Sequence, residues 1–281
     1  MQDFAGLPAE YSNYKDSKIV ILPIPYDKTS TYIKGADKGP QALLEASTQL
    51  ETYDIETNSE VYKSGIFTED PLKSEDTPKK LTEQIKSKVS QLLENNKFVT
   101  IIGGEHTVTI GSVQAHKKKY PNLSVLQLDA HADLRDSYKD SKYNHACVMA
   151  RVKELCPFTQ VGIRSMDSKE KESTKHIYYA KDIHDNDDWM DKAISHLSDS
   201  VYLTLDLDVL DPSIMPATGT PEPGGLTYYQ ILKFLKKVSE SKNIVGFDIV
   251  ELCPNENSKP SNFLAAKLLY KILTYINPKD S

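Results

Sequence analysis

Residues 128–136, LDAHADLRD, place three potential metal ligands directly after an apolar run at residues 123–128. Asp129, His131 and Asp133 are spaced two residues apart, and in an extended backbone side chains at this spacing point to the same side. Carboxylate oxygens and an imidazole nitrogen that converge at the end of a strand suit a metal cation. The motif alone is also compatible with a turn, so a metal site requires matching ligands elsewhere in the chain.

The composition limits the classes of protein to which the chain can belong. It has 281 residues, of which 39% are hydrophobic, enough to bury one large core. Its formal net charge of −6 argues against a nucleic acid or a membrane surface as a partner. The start of the chain lacks a signal-peptide pattern, and no apolar run approaches the roughly 20 residues that span a bilayer. The three cysteines form no CxxC motif, so they suggest neither a disulfide framework nor a thiolate zinc cluster. We therefore expect a cytoplasmic protein.

Short apolar runs alternate with helical patterns along the chain. We expect strands at residues 18–24, 61–67, 97–102, 123–129, 158–164, 176–180, 201–209 and 243–251. We expect helices to begin near residues 40 and 78 and to cover about residues 107–119, 146–155, 187–198, 227–240 and 260–276. This order predicts an α/β fold with a parallel sheet of about eight strands, covered by helices on both faces, in one domain over residues 1–281. The long loop at residues 26–40 is interpreted as a surface excursion in preference to a binding element.

Further candidate ligands follow other predicted strands. His106 comes after the third strand, Asp206 and Asp208 come at the end of the seventh, and Asp248 and Glu251 end the eighth. In open parallel sheets, ligands bind beyond the carboxyl ends of the strands. Together with LDAHADLRD, these residues predict one site at that edge of the sheet.

The charge of the candidate ligands indicates how many cations the site holds. The strongest candidates are two histidines and four aspartates: His106, Asp129, His131, Asp133, Asp206 and Asp208. Two divalent cations would neutralise the four carboxylates, whereas one cation would leave like charges crowded together. Pairs of cations about 3.5–4 Å apart are a known hydrolytic arrangement. Oxygen-rich ligation with two imidazoles and no thiolate favours two Mn²⁺ ions, and other first-row divalent ions remain open.

Five motifs carry a resemblance to a known family. GGEHTVTIGS, LDAHADLRD, LTLDLDVLDP, TGTPEPGG and GFDIVEL occur in the order typical of the ureohydrolase family of arginases, agmatinases and their relatives. The resemblance implies an arginase-like three-layer α/β/α fold with a binuclear manganese centre. It implies that Asp129 and Asp206 would bridge the two ions. His106 and Asp133 would complete the ligands of one ion, and His131 and Asp208 would complete those of the other.

The resemblance also implies roles in hydrolysis of a guanidinium group, with urea as a product. Glu251 is the candidate partner of the substrate guanidinium, and Asp133 would orient the attacking water. His145 would carry the proton that the departing amine needs. Asp248 would hold the amine side of the substrate or support the site from behind. Glu105 stands where arginases usually have aspartate and is interpreted as support for its loop.

The stretch before His145 separates candidate substrates. Arginases resemble one another in a Ser/Thr-rich, S-G-N-containing stretch whose polar groups hold the α-carboxylate of arginine. Residues 134–146, LRDSYKDSKYNHA, lack it and resemble the short prokaryotic agmatinases, which makes agmatine the preferred substrate. Arg135, Arg151 and Arg164 remain open as partners of a substrate carboxylate.

Several alternatives stay open. Aminopropylagmatine, guanidinobutyrate and arginine follow agmatine as candidate substrates, and formiminoglutamate is less favoured. A catalytically idle relative that binds metals or polyamines is the alternative outside enzymes. The family resemblance further suggests a homotrimer or homohexamer.

Overall fold

The computed structural model describes residues 2–73, 76–173 and 175–276. Across these residues, eight parallel strands form one sheet in the order β2-β1-β3-β8-β7-β4-β5-β6. The strands are β1 (Ile19–Ile24), β2 (Ile66–Thr68), β3 (Phe98–Gly103), β4 (Leu123–Leu128), β5 (Phe158–Ile163), β6 (Ile177–Tyr179), β7 (Ser200–Asp206) and β8 (Asn243–Val250).

Helices cover both faces of this sheet. They are α1 (Gly39–Ser47), α2 (Pro78–Glu94), α3 (Thr109–Lys119), α4 (Val148–Lys153), α5 (Ala180–Ile183), α6 (Trp189–Ser195), α7 (Tyr228–Ser241) and α8 (Pro260–Ile276). Apolar side chains of α1, α6, α7 and α8 pack on one face, and those of α2, α3 and α4 pack on the other. The expected α/β fold, with three layers and an eight-stranded parallel sheet, is confirmed.

The central strands are apolar on both faces because helices cover both faces. Every residue of β4 is buried, and so are the residues of β7 after its first. Such double burial is typical of parallel sheets and explains why these strands appear as nearly continuous hydrophobic runs. The order of the sheet brings β3, β8, β7 and β4 side by side at its centre. Their carboxyl ends therefore lie at one edge.

Two predicted strands have different bounds in the structure. The expected strand at 61–67 is a 3-10 turn, Val61–Ser64, followed by β2, because Gly65 between them has a φ of +78°. The expected strand at 201–209 ends at Asp206, whose side chain accepts a hydrogen bond from the Asp208 N–H and so begins a 3-10 turn.

Local signals predicted the starts of two helices correctly. The Thr77 side chain accepts a hydrogen bond from the Lys80 N–H at the start of α2. Thr227 and Gln230 form a reciprocal capping box at the start of α7. Within the described ranges, no helix combines the length and apolarity needed to cross a bilayer.

Candidate metal centre and active site

The candidate ligands meet at the carboxyl edge of the sheet, as two groups that share one residue. His106 begins the turn after β3, Asp129 and His131 follow β4, and Asp206 ends β7. One group is His106, Asp129 and Asp206, and the other is Asp129, His131 and Asp208, with the potential ligand atoms of each group within 4.8 Å of one another. Asp129 belongs to both groups, which is the arrangement that a bridging carboxylate requires.

The first group is centred on the Nδ1 atom of His106. This nitrogen lies 3.1 Å from Asp129 Oδ2, 3.1 Å from Asp133 Oδ2 and 3.4 Å from Asp206 Oδ2. All four side chains are buried. Three carboxylates and one imidazole thus surround a single point in the interior.

The second group is centred on His131. Its Nδ1 lies 2.9 Å from Asp208 Oδ2 and 3.7 Å from Asp129 Oδ1. The other ring nitrogen, Nε2, lies 3.8 Å from a carboxylate oxygen of Glu222. The two oxygens of Asp129 therefore face the two histidines separately.

Hydrogen bonds behind His106 fix the nitrogen that it can offer to a cation. Thr204 donates its hydroxyl to Asp248 Oδ1 at 2.7 Å, so its oxygen can accept a hydrogen bond from His106 Nε2, 2.8 Å away. Nε2 then carries the proton, and Nδ1 presents a lone pair to three carboxylates. Nδ1 is buried with no hydrogen-bond partner among the described residues. A lone pair among carboxylates is compensated by a cation, so the donors present fit a metal ion.

Without a cation, the carboxylates of this cluster repel one another. Burial and the neighbouring charges of Asp208 and Asp129 raise the pKa of Asp206 well above its ordinary value. Burial and the charge of Asp129 raise the pKa of Asp133 to about 7. Divalent cations would relieve this repulsion.

Two roles were suggested for Asp248, and the structure corrects one of them, contact with the amine side of the substrate, because Asp248 does not line the cavity. It lies inside β8, and both of its oxygens accept hydrogen bonds, at 2.7 Å, from Thr204 Oγ1 and from the Tyr202 hydroxyl. It is fully buried and supports His106 through Thr204. The alternative prediction, support of the site from behind, agrees with this geometry.

Asp133 and Glu251 both have left-handed backbone conformations, with φ of +53° and +65°. Non-glycine residues rarely adopt this conformation, and where they do, the surrounding structure must hold them in it. The Glu251 backbone N–H donates to the Gly104 carbonyl, and its Oε1 accepts a hydrogen bond of 2.7 Å from the His106 N–H. Both acids line the cavity above the cluster.

His145 lies in the wall of the same cavity and is not one of the candidate metal ligands. Burial is the largest of the causes that lower its pKa to about 4. Its ring is therefore neutral at neutral pH. Its Nδ1 lies 3.0 Å from the Thr29 hydroxyl oxygen.

The cavity has a volume of about 220 Å³. One of its walls is the segment 30–33, part of the loop that the sequence had suggested to be a surface excursion. That interpretation was wrong, because Glu105 accepts hydrogen bonds from the Thr29 and Ser30 N–H groups and holds the loop against the site. The unusual length of the loop was the signal that could have revealed its role.

The three arginines left open as carboxylate partners are already engaged. Arg164 donates to backbone carbonyls, including that of Asp208 at 2.5 Å. Arg151 bonds Asp136 and Glu154. Arg135 lines the cavity, but its guanidinium lies 3.4 Å from Asp167 and 5.1 Å from the centre of the Tyr138 ring.

The fold and the paired His/Asp groups define the class of ureohydrolases, enzymes that act on a guanidino group. The chain belongs to the Arginase family, whose model matches residues 17–274. It is 39% identical over 277 residues to an N(1)-aminopropylagmatine ureohydrolase of Synechocystis sp., with 94% of this chain and 90% of the relative covered. It is 33% identical to an agmatinase of Pyrococcus horikoshii, with 92% of each chain covered.

Solved structures give the same result. The agmatine ureohydrolase of Thermoplasma volcanium superposes with a TM-score of 0.86 at 33% identity, covering 95% of this chain and 93% of that one. The arginase of Bacillus caldovelox superposes with a TM-score of 0.77 at 25% identity, covering 94% of this chain and 99% of that one. The predicted family is confirmed, and the short prokaryotic ureohydrolases are among its similar relatives.

Proposed function

We propose that the protein hydrolyses the guanidino C–N bond of agmatine with two Mn²⁺ ions and releases putrescine and urea. The observation that carries this proposal is the pair of ligand groups that share Asp129 beneath a cavity lined by Glu251 and His145. The residues that would hold the two ions are His106, Asp129, His131, Asp133, Asp206 and Asp208. Bound manganese supplies Lewis-acid activation of water as a nucleophile at neutral pH.

The residues of the chain position the substrate and move its protons. A guanidinium group is protonated at neutral pH and offers donors in a planar fork that suits a carboxylate. Glu251 lines the cavity, and its Oε1 is held by the His106 N–H, so the carboxylate is already oriented before substrate binds. Asp133 accepts a hydrogen bond from the attacking water. His145 is half-buried and neutral, so it first takes up a proton that the attacking water loses and then delivers that proton to the departing amine.

The surroundings of the cavity favour an amine over an amino acid as substrate. An α-carboxylate needs a cationic or hydrogen-bonding partner, and the three candidate arginines are held by other groups. The cavity volume of about 220 Å³ is smaller than the range of about 300–1,000 Å³ that is usual for drug-sized ligands. A small linear substrate without a carboxylate, such as agmatine, fits these two properties.

N1-aminopropylagmatine is the second candidate substrate. Its support is the relative from Synechocystis sp., whose name states that activity. The additional aminopropyl arm would extend toward the mouth of the cavity, where Tyr32 is 74% exposed and Ile33 is 42% exposed.

Urea release by the Mn²⁺-loaded protein tests the proposal. Agmatine, N1-aminopropylagmatine, guanidinobutyrate and arginine are supplied separately at equal concentration. We expect agmatine to give the highest kcat/KM. A higher value for N1-aminopropylagmatine would assign the second candidate, and a higher value for arginine would refute the interpretation of residues 134–146. If the protein hydrolysed none of these compounds and no formimino compound, the result would support the alternative of a catalytically idle metal-binding relative.

Two further proposals accompany this activity. We expect a homotrimer or homohexamer, which gel filtration with light scattering would contradict by showing a monomer. We expect two manganese ions per chain after loading and desalting, and elemental analysis that found one ion, or a different tightly bound metal, would contradict the binuclear manganese centre. A cytoplasmic location and the absence of nucleic-acid and membrane partners also stay predictions.

A further inference from the structure

A half-buried threonine, Thr29, lies between the cavity histidine and a carboxylate, Glu105, that does not line the cavity. The Thr29 hydroxyl oxygen lies 2.7 Å from Glu105 Oε1, 3.0 Å from His145 Nδ1 and 3.1 Å from the His145 backbone nitrogen. Glu105 is fully buried. The three residues come from the loop after β1, the turn after β3 and the turn before α4, so the tertiary fold alone brings them together.

Glu105, Thr29 and His145 form a hydrogen-bond chain, and its donors and acceptors determine the tautomer of His145. Glu105 Oε2 accepts from the Thr29 and Ser30 N–H groups, and Oε1 accepts from the hydroxyls of Thr29 and Thr107. The single hydroxyl proton of Thr29 is therefore given to Glu105. The oxygen of Thr29 then has only lone pairs left, and the ring nitrogen 3.0 Å away must donate to it.

We propose that Thr29 and Glu105 are positioning residues that hold His145 in the tautomer protonated at Nδ1. Nε2 is then the basic nitrogen that exchanges protons with the substrate in the cavity. The inference rests on the proposed function, because it assigns the orientation of the group that protonates the departing amine. Thr29 acts through His145 and needs no contact with substrate.

The hydrogen-bond chain also explains why the Glu105 carboxylate is buried at this place. When Nε2 takes up a proton, the imidazolium that forms donates from Nδ1 to Thr29, whose hydroxyl is in turn polarised by Glu105. A hydrogen-bond chain to a buried acid thus stabilises the charged form of a histidine that burial alone would keep neutral. The same Glu105 holds the cavity loop, so one residue fixes both the wall and the proton carrier.

Matched substitutions separate positioning from simple loop support. Thr29→Val keeps the shape and the backbone N–H of Thr29 but removes the hydroxyl. Thr29→Ser keeps the hydroxyl. Thr107→Val is the control, because Thr107 donates to the same Glu105 oxygen at 2.7 Å and does not hydrogen-bond to the His145 ring. Each full-length variant is loaded with Mn²⁺ and checked for metal content and for its circular dichroism spectrum.

We expect Thr29→Val to lower kcat for the best substrate about 10–100-fold, the usual effect of losing such a supporting contact. KM and manganese content should stay within about twofold of wild type, because neither Glu251 nor the metal ligands bond to Thr29. Thr29→Ser should restore most of kcat, and Thr107→Val should lower it less than about threefold. Equal losses in Thr29→Val and Thr107→Val, or no loss in Thr29→Val, would overturn the proposal. Absence of urea release by wild type would instead refute the proposed function.

The tautomer gives a readout that does not depend on activity. Histidine-labelled, metal-free full-length protein is studied by ¹⁵N NMR at neutral pH, and the His145 signals are assigned from their loss in His145→Ala. We expect a protonated Nδ1 and an unprotonated Nε2 in wild type and in Thr29→Ser, and a shift toward the Nε2-protonated form in Thr29→Val. An Nε2-protonated wild-type ring, or identical spectra for wild type and Thr29→Val, would overturn the proposal even if kcat fell. This readout also covers the case in which Thr29→Val loads metal poorly.

Discussion

Asp129 is the residue on which both candidate metal groups depend, because each of its oxygens faces a different histidine. We predict that Asp129→Asn loses most of its affinity for both manganese ions and at least ~100-fold in kcat/KM, since a ligand contributes more than the 10–100-fold of a supporting residue. Titration of free Mn²⁺ by electron paramagnetic resonance measures the affinity.

Asp211→Asn is the control for Asp129→Asn. Asp211 is an acid of the same edge that accepts hydrogen bonds from the Ser213, Gly224 and Gly225 N–H groups and belongs to neither ligand group. Retention of two tightly bound ions by Asp129→Asn would refute the shared-carboxylate centre.

His145 presents a different case, because it lines the cavity without belonging to either ligand group. We predict that His145→Ala keeps both manganese ions but loses about 10²–10⁴-fold in kcat, the usual contribution of a positioned proton-transfer group. His184→Ala is the matched control, because His184 is an exposed histidine outside the cavity. Full turnover by His145→Ala would remove His145 from the proton transfer.

Local spacing explains which residues of the site could be predicted. Asp129, His131 and Asp133 are neighbours in sequence at the end of a strand, so one motif was enough to place them together. The choice between the two roles suggested for Asp248 could not be made from sequence, because it depends on the pairing of Asp248 with Thr204 across the strands. That pairing depends on the register of the whole sheet. It makes Asp248 a support for His106 and not a contact of the substrate.

At the scale of elements, the packing of α3 on the sheet depends on a histidine and a glycine. His116 is fully buried, its Nδ1 lies 2.9 Å from the Ser112 carbonyl, and its ring packs against Tyr202. A Cβ at Gly246 of β8 would lie only 2.2 Å from His116 Nε2, so this position admits no side chain. The sequence predicted helix and strand correctly but gave no sign of this contact, because the two residues are 130 positions apart.

The burial of His116 predicts loss of stability in acid. Burial lowers its pKa from 6.5 to about 4, so between these values the unfolded chain binds more protons than the folded chain. Stability therefore falls as the pH decreases through this window, by about 2 kcal/mol between pH 7 and pH 5. Urea unfolding at the two pH values measures the change, with His116→Gln as the comparison. An equal pH dependence in both proteins would show that His116 does not contribute.

The cavity loop shows why an element can be predicted and its place missed. Its length and its Gly and Pro residues indicate a loop, and the chain does form one. Its position against the site depends on the buried Glu105, far along the chain, which accepts its N–H groups. Hydrogen bonds between distant segments have no periodicity in sequence, so the pattern could not distinguish a cavity wall from a surface excursion.

At the scale of the whole molecule, the alternation of strands and helices was sufficient to predict the layers but not the order of the strands. The position of β8 between β3 and β7 brings Glu251 beside the ligands that follow β3 and β7. The family motifs, which occur in a fixed order, indicated indirectly that these residues lie close together. A buried ion pair between the loop after α1 and α8, in contrast, had no signal in the sequence.

That ion pair links a loop after α1 to the last helix. Lys271 of α8 lies 2.9 Å from Asp54 Oδ2 and 2.6 Å from Glu56 Oε2, and Lys271 and Asp54 are both buried. The hydrogen bond from Lys271 is the main cause that lowers the pKa of Glu56 to about 2. Removing the ammonium leaves the buried Asp54 carboxylate without a compensating positive charge, which is far more destabilising than the loss of an exposed ion pair.

We predict that Lys271→Met lowers the free energy of unfolding by about 3–5 kcal/mol, because Asp54 loses its compensating charge in the interior. Lys236→Met is the control: Lys236 is 3.0 Å from the other oxygen of Glu56 but is exposed, and its loss should lower stability by less than about 1 kcal/mol. Urea unfolding at neutral pH measures both. Because Lys271 lies outside the catalytic cavity, Lys271→Met should keep the wild-type KM at temperatures where it remains folded. Equal effects of the two substitutions on stability would show that the buried pair contributes no more than a surface one.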